Sequence, residues 1–388
     1  MEFVGIIAEY DPFHNGHASQ LAAVRAAGAK CIAVCMSSGA VQRGGVPILP
    51  EGVRVRAALD AGADMVVALP APYACATAEQ FAAAGVHLLA ALGCDTLAFG
   101  AETPDAAALM RAAGVLQQEE LQTMLRQKLA TGMTYAAARA EAADALCPGM
   151  GALLRTPNNI LGIEYCKAIL TQHAALTPLA LPRLGAAHGG GAGQHAGVPM
   201  ASASFLRSLP QPDWEPFVPA GAATLYGKAA ADGLLLDDAK LETAVLALLR
   251  MQDPACYAQV RGVSEGLENR LAAAVRVADS LDDLYTRLKT KRYPHARLRR
   301  LVLDAALQIP AELPLPPYIQ VLGAKKTALP RLKNARLPAG TALADLVRAN
   351  AAAAEVGRLH SRAVDFSSLC REKIQPMGLA FTGKPVVI

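Results

Sequence analysis

Phe3-Val4-Gly5-Ile6-Ile7-Ala8-Glu9-Tyr10-Asp11-Pro12-Phe13-His14-Asn15-Gly16-His17 changes its period halfway along. Residues 3–8 are apolar, short and bounded, the pattern of a strand covered on both faces. Residues 17–27 then carry Leu21, Val24 and Ala27 at helical spacing, so the polar turn joins a strand to a helix. The alternation recurs. Residues 31–36 read as a strand, 51–62 as a helix, 65–69 as a strand, 77–92 as a helix and 96–99 as a strand. Strands alternating with helices of about ten residues or more predict an α/β fold with a doubly wound parallel sheet. A return to the sheet is expected near residues 176–181.

Composition limits the remaining possibilities. The chain has 388 residues, 53% hydrophobic and 18% charged, which excludes global disorder and suggests two or three domains. No apolar run reaches the roughly 18 residues needed to cross a bilayer. The first residues lack the basic and long apolar regions of a signal peptide, so a cytoplasmic protein with no membrane partner is expected. The eight cysteines, at 31, 35, 75, 94, 147, 166, 256 and 370, form no C-x-x-C and no zinc-ligand spacing. They read as reduced thiols, mostly in cores, and no metal ligands are assigned. The formal net charge of +4 does not by itself indicate a nucleic-acid partner.

Residues 210–219 hold four prolines and mark an expected boundary. This divides the chain into a catalytic domain at 1–210 and a mainly helical domain at 220–388. Helices are expected at 239–251, 264–278 and 341–360. The stretch 188–193 is rich in glycine and reads as a mobile loop.

Five elements carry candidate chemistry. In an open parallel sheet ligands bind beyond the carboxyl ends of the strands, where the turn before His17 lies. A helix start there offers free N–H groups to phosphate, and His14 and His17, three residues apart, can face one anion. The competing reading is two surface histidines. After the second strand, Ser37-Ser38-Gly39-Ala40-Val41-Gln42-Arg43-Gly44-Gly45 forms a polar loop whose Arg43 can hold a phosphate or a carboxylate, or merely sit in solvent. Gly100, before Ala101-Glu102, permits close approach of a nucleoside or makes a plain turn. Asn158-Asn159 open a helix and have a sufficient explanation as caps. Ser202-Ala203-Ser204-Phe205-Leu206-Arg207 supplies hydroxyls and a guanidinium for a pyrophosphate, or a capping serine beside a surface arginine.

In this order the elements resemble one family. The segments Glu9-Tyr10-Asp11-Pro12-Phe13-His14-Asn15-Gly16-His17, Ser38-Gly39-Ala40-Val41-Gln42-Arg43-Gly44, Gly62-Ala63-Asp64, Leu69-Pro70, Phe99-Gly100-Ala101-Glu102, Pro157-Asn158-Asn159-Ile160-Leu161-Gly162-Ile163-Glu164-Tyr165 and Ser202-Ala203-Ser204 with Arg207 are similar to the bacterial tRNA(Met) cytidine acetate ligases. That family lies within the H-x-G-H nucleotidylyltransferase superfamily, and the likeness continues through Glu265-Gly266-Leu267-Glu268-Asn269-Arg270 and Lys289-Thr290-Lys291-Arg292-Tyr293. It implies a Rossmann-like catalytic half and a two-step reaction. Acetate and ATP give acetyl-adenylate, and the acetyl group passes to N4 of the wobble cytidine of elongator tRNA(Met). It further implies that ATP, with Mg²⁺ expected beside it, is bound by Ile7-Ala8-Glu9-Tyr10-Asp11-Pro12-Phe13-His14-Asn15-Gly16-His17-Ala18-Ser19-Gln20, Gly100, an Asn of the Asn158/Asn159 pair, Arg183, Ser202 and Ser204. His14, His17 and Arg207 are the catalytic candidates. The chain departs from the pattern at Asp11, where Asn is more usual, and at Ala101, where Ser is common.

An RNA partner is also expected from local charge, and a DNA partner is not. Residues 287–300 hold seven Lys/Arg with Tyr293 among them, and Lys325, Lys326, Arg331, Lys333 and Arg336 form a second basic stretch. Such runs make salt-dependent phosphate contacts and the Tyr can stack on a base, although amphipathic helices also carry solvated basic faces. The alternative activity is a small-molecule adenylyl- or cytidylyltransferase of the same superfamily.

Overall fold

The computed structural model describes residues 1–183, 191–264, 266–290 and 293–388. Residues 188–190 of the glycine-rich stretch, Glu265, and Lys291-Arg292 of the basic run lie outside the described residues. The predicted alternation is realised as β1 (Phe3–Ala8), α1 (Asn15–Ala26), β2 (Cys31–Ser37), α2 (Glu51–Asp60), β3 (Met65–Leu69), α3 (Ala71–Ala74), α4 (Ala78–Leu92) and β4 (Thr96–Ala101). Helices α5 (Ala106–Leu116), α6 (Glu119–Ala130), α7 (Tyr135–Leu146), α8 (Met150–Leu153) and α9 (Pro157–Thr171) follow, and β5 (Thr177–Pro182) returns to the sheet.

Strands β3-β2-β1-β4-β5 are hydrogen-bonded in that order, all parallel, with Phe3 opposite Cys31 and Val4 opposite Thr96. The order reverses between β1 and β4, which places a crevice at their carboxyl ends. Both faces of β1 are covered, as its unbroken apolar run requires. Phe3 and Ile7 pack with Leu88, Leu89 and Ile163 on one side. Val4 and Ile6 pack with Leu21, Val24, Leu59, Trp214 and Tyr226 on the other.

Beyond β5 the chain forms a hairpin, β6 (Gly193–His195) with β7 (Val198–Met200), then α10 (Ala203–Arg207). Gly193, expected in an irregular loop, is thus the first residue of a strand. The proline-rich stretch folds as a short 3₁₀ helix over Gln211–Phe217 that buries Trp214. Trp214 and Val218 thus anchor the stretch to the core, while Pro212, Asp213, Glu215 and Pro216 stay exposed.

Next come α11 (Ala220–Ala231), α12 (Asp238–Met251), α13 (Leu267–Val277), α14 (Leu281–Leu288) and α15 (His295–Leu307). The chain then supplies β8 (Ile319–Ala324), β9 (Ala339–Gly340), α16 (Leu343–Leu346), α17 (Ala351–Leu369), α18 (Leu379–Thr382) and β10 (Val386–Val387). Strand β8 pairs antiparallel with β3, Met65 opposite Ala324, and β10 extends that edge. Residues on both sides of 210–220 thus share one sheet. The short run Ile319–Ala324, apolar but for Gln320, carries no period that separates a strand from a helix, which is why the sequence concealed β8.

The late helices share a core with the early chain. Leu249, Leu271, Leu298, Leu301 and Leu359 pack with Ala40, Val46, Ala71 and Cys75. Arg261 pins this contact from inside. It pairs with Asp304 at 2.7 and 2.9 Å, and donates to the carbonyls of Pro72 and, at 2.8 Å, Cys75. No cysteine is bridged in the structure, and Cys31 and Cys35 are both buried on one face of β2.

Candidate active site

The turn after β1 is organised by its two histidines. The Gly16 N–H donates to His14 Nδ1 at 3.1 Å, and the His14 N–H donates to His17 Nδ1 at 3.3 Å. Each imidazole thus satisfies one of the backbone donors that a helix start leaves free. Because each Nδ1 accepts, the proton of each neutral ring sits on Nε2, which remains available as a donor. The rings stack with centroids 3.7 Å apart and planes 22° from parallel. Burial, with the positive charges of Arg183 and Arg207, pulls the pKa of His14 down to about 3. Burial, His14 and Arg183 hold His17 well below its ordinary value. Both rings are therefore neutral donors at pH 7.

The cations around them arrive from distant parts of the chain. Arg183 stands just past β5, where its N–H donates to the Ala101 carbonyl at 3.0 Å and extends the β4–β5 ladder. Arg207 ends α10; it donates to the Asp11 carbonyl at 2.5 Å and to Ser204 Oγ at 3.2 Å. Asp11 is buried and collects charge. Its carboxylate lies 2.5 Å from Arg43 and 3.7 Å from Arg207, and accepts the Ile48 N–H at 2.6 Å. Burial alone would raise its pKa, but Arg43, Arg207 and Arg54 hold it below the usual carboxylate value. Arg43 thus grips a carboxylate of the protein itself, one of the two partners expected of it.

Glu9 accepts the Gln42 N–H at 2.5 Å, and burial raises its pKa against the pull of Arg43. Arg54, one of the most deeply buried side chains, reaches from α2 to the carbonyls of Glu9 and Ser37, 2.8 Å from each. It staples the ends of β1 and β2. Nothing in its sequence context marks it, since an Arg in a helix normally reads as solvated.

The remaining candidates divide by role. Asn15 donates to the carbonyls of Pro199 at 2.9 Å and Pro216 at 3.2 Å, tying α1 to the hairpin. The side chains of Ile7, Tyr10 and Phe13 are core, which leaves their backbone to face a ligand. Ala8, Glu9, Gly16, Ala18, Ser19, Gln20 and Gly100 are all partly exposed along the turn, α1 and β4, while Asp11 and Pro12 are buried. Asn158 and Asn159 serve a local purpose: Glu102 accepts their backbone N–H groups and Asn158 Nδ2, and Asn159 bonds Thr103 through both side-chain atoms. This fixes the end of β4 against α9. Ser202 caps α10 through the Phe205 N–H at 3.2 Å.

The basic run has a structure of its own. Tyr293 is buried beneath Arg297, whose guanidinium lies 4.6 Å from its ring, so it is not the base-stacking residue that its place in the basic run suggests. Arg287 pairs with Asp283 at 2.7 Å and Arg297 bonds Ser264 at 2.8 Å, while Arg299 is exposed. Arg300 donates to the Gln42 carbonyl at 3.2 Å. Helix α15 is thus docked on the loop that carries Arg43, a contact no sequence signal announces.

Among the described residues no three His, Cys, Asp or Glu side chains come together as a metal-ligand set, and the nearby Glu9 and Asp11 are already engaged. No helix among them is long and apolar enough to cross a membrane.

A family model described as HIGH Nucleotidyl Transferase matches residues 1–378. The tRNA(Met) cytidine acetate ligase of Syntrophotalea carbinolica is 35% identical over 364 residues, covering 88% of this chain and 85% of that protein. The protein of that name from Latilactobacillus sakei is 37% identical over 335 residues, 83% of this chain and 82% of its own. Among solved structures, apo Thermotoga maritima TmcAL (form I) is 26% identical with a TM-score of 0.92, covering 100% of both chains. The form bound with alpha-thio ATP (form II) is 24% identical with a TM-score of 0.91, covering 100% of this chain and 99% of its own, a likeness of fold.

Proposed function

The chain belongs to the HIGH nucleotidyl transferase family and to its tRNA(Met) cytidine acetate ligases, and we propose that the crevice between β1 and β4 is where it activates acetate with ATP. The observation that carries this reading is the pair of stacked, neutral imidazoles at the start of α1, faced by Arg183 and Arg207. The chain is an enzyme that ligates acetate to a cytidine of tRNA(Met). The route by way of acetyl-adenylate, the N4 position, the wobble site and the elongator tRNA belong to the proposal.

Acetate is ionised at pH 7, because its pKa is near 4. The first step therefore needs no base. A carboxylate oxygen attacks the α-phosphorus of ATP, the bond to the bridging oxygen breaks, and pyrophosphate leaves with the electron pair. The protein's task is to hold the groups in line and to neutralise charge building on the phosphate oxygens. His14 and His17 donate from Nε2, and being neutral they do so without requiring a counter-ion. Arg183 and Arg207 supply positive charge for the leaving group, and Ser204 and Asp11 keep Arg207 in place. Mg²⁺ accompanies ATP in many phosphoryl-transfer reactions. Among the described residues no carboxylate cluster provides a cage for it.

The exposed charge of Arg299 on α15, with the rest of the basic run, supports placing tRNA on this helix, next to the loop that carries Arg43. A tRNA substrate is consistent with work in the cytoplasm. The test is incubation of the chain with ATP, labelled acetate and bacterial tRNA, followed by nucleoside analysis for N4-acetylcytidine. Acetate-dependent exchange of pyrophosphate into ATP without tRNA tests the first step alone. Absence of both would overturn the proposal, while exchange without N4-acetylcytidine would overturn only the acceptor.

A further inference from the structure

The second step needs a proton acceptor that the first does not. The exocyclic amine of a cytosine must give up a proton when it becomes an amide nitrogen. Four carboxyls and two imidazoles stand on the turns after β1 and β4 and at the start of α1: Glu9, Asp11, Glu102, Asp105, His14 and His17. The imidazoles are excluded, because each Nδ1 already accepts a backbone N–H and each Nε2 carries the proton. Asp11 is 1% exposed and held between Arg43 and Arg207. Glu102 is bound by Asn158 and by the Asn159 N–H. Asp105 is exposed and caps α5 through the Ala108 N–H at 2.9 Å.

Glu9 remains, and its two oxygens differ. Oε1 accepts the Gln42 N–H at 2.5 Å, which fixes the carboxylate. Oε2 takes no hydrogen bond among the described residues and is not sealed from solvent. Arg54 holds the backbone of the residue through its carbonyl at 2.8 Å. Gln42 also faces the other way, since its carbonyl accepts from Arg300 of α15 at 3.2 Å. One residue thus joins Glu9 to the helix on which tRNA is placed. Arg43, Arg207 and Arg54 favour the ionised carboxylate, while burial and Asp11 oppose it. Tyr165 of α9 and Cys75 lie within its field, and burial raises the pKa of both, so neither is charged at pH 7. Burial prevails, and the carboxyl titrates above its ordinary value, closer to the pH at which a base is most effective.

On the acetyl-transfer reading of this crevice, we propose that Glu9 is the general base of the second step, taking on Oε2 the proton that N4 of the cytidine loses. N4 forms a bond to the acetyl carbonyl carbon. The bond from that carbon to the phosphate oxygen of acetyl-adenylate breaks, and AMP leaves with the electron pair. The proton passes from N4 to Glu9 and then to water.

The test uses the full chain as wild type, Glu9→Gln and Glu9→Asp. Each is loaded with ATP and labelled acetate, pyrophosphate is removed enzymatically, and saturating tRNA is then mixed in while N4-acetylcytidine is followed over a range of pH. Wild-type transfer should rise with pH as Glu9 loses its proton, then level off. Glu9→Gln keeps an oxygen for Gln42 but cannot take a proton, so transfer should fall by about 10²-fold or more and the rise should vanish, with the tRNA KM little changed. Glu9→Asp should keep the rise at a rate about tenfold lower, its carboxyl being drawn back. Acetate-dependent pyrophosphate exchange should fall by far less than transfer in both. Transfer by Glu9→Gln near the wild-type rate, or with the wild-type rise, would overturn the assignment and leave the departing phosphate as the proton acceptor. So would equal losses of exchange and transfer, which would make Glu9 a nucleotide contact only. Melting curves show whether each variant folds, and a wild-type rate in Glu9→Asp would overturn the assignment where Glu9→Gln does not fold. Absence of N4-acetylcytidine from wild type would overturn the acceptor reading, and this assignment with it.

Discussion

Gly44 is where the loop that holds the histidine turn meets the basic helix, and Gly44→Ala should separate them. The residue has φ +85, a region that costs an L side chain about 1–2 kcal/mol. A Cβ there would stand 2.5 Å from both Arg299 C and Arg300 N, backbone atoms of α15 that no side-chain rotation can move aside. Overpacking of this kind costs about 1–3 kcal/mol. Relief requires the loop and the helix to part, which also strains the bond from Arg300 to Gln42, a charged hydrogen bond of about 1.5–3 kcal/mol. Gly28→Ala isolates the first contribution, because Gly28 has φ +97, is exposed and has nothing within 4 Å of the added carbon. We expect Gly28→Ala to cost about 1 kcal/mol and Gly44→Ala about 3 kcal/mol or more, read from urea denaturation midpoints at constant slope. Gln42 holds Glu9 and Arg43 holds Asp11, so Gly44→Ala should also weaken ATP binding, whereas Gly28→Ala should not. Equal destabilisation by the two substitutions, or an unchanged ATP affinity in Gly44→Ala, would refute the view that this loop joins the two surfaces.

Other perturbations test other parts. His17→Ala should lower the acetate-dependent exchange rate by a factor of about 10²–10³. It should also cost about 1 kcal/mol of stability, because His17 caps the His14 N–H. Acid should destabilise the fold through His360, whose pKa burial lowers to about 4 and whose Nδ1 accepts the Ala71 N–H. This contribution is full above the ordinary histidine value near 6.5 and disappears as the pH falls towards 4, a change on the order of 3 kcal/mol that His360→Gln should remove. Neutralising Lys291, Arg292 and Arg299 should lower the slope of log tRNA affinity against log salt by roughly 0.7–0.9 for each phosphate that is no longer neutralised. ATP affinity should stay unchanged if Arg300, which bonds Gln42, is kept. An unaltered slope would mark this stretch as a solvated face.

The sequence by itself determined the parallel sheet and the position of its crevice. Alternating periods are local, and a strand–turn–helix unit with unbroken apolar strands has one good way to cover both faces. It also determined the histidines at the start of α1, because both the helix period and the H-x-G-H spacing lie within a few residues. Tertiary structure decided what those residues touch. Ser202 and Ser204 resembled a phosphate cradle, but the fold makes one a cap and the other a brace for Arg207. Asn158 and Asn159 are engaged by Glu102 and Thr103 across 56 residues, a pairing that no local pattern encodes. Arg54, which nothing in its local pattern marks, is a buried staple between β1 and β2. The prolines at 210–219 suggested a linker, yet Trp214 anchors that stretch to the core, and β8 enters the sheet from residue 319 onward. Propensity and period are set by neighbours in sequence. The partners of a buried charge, or of a strand at the edge of a sheet, are set by which surfaces remain to be covered once the chain has folded, and that information is spread over the whole molecule.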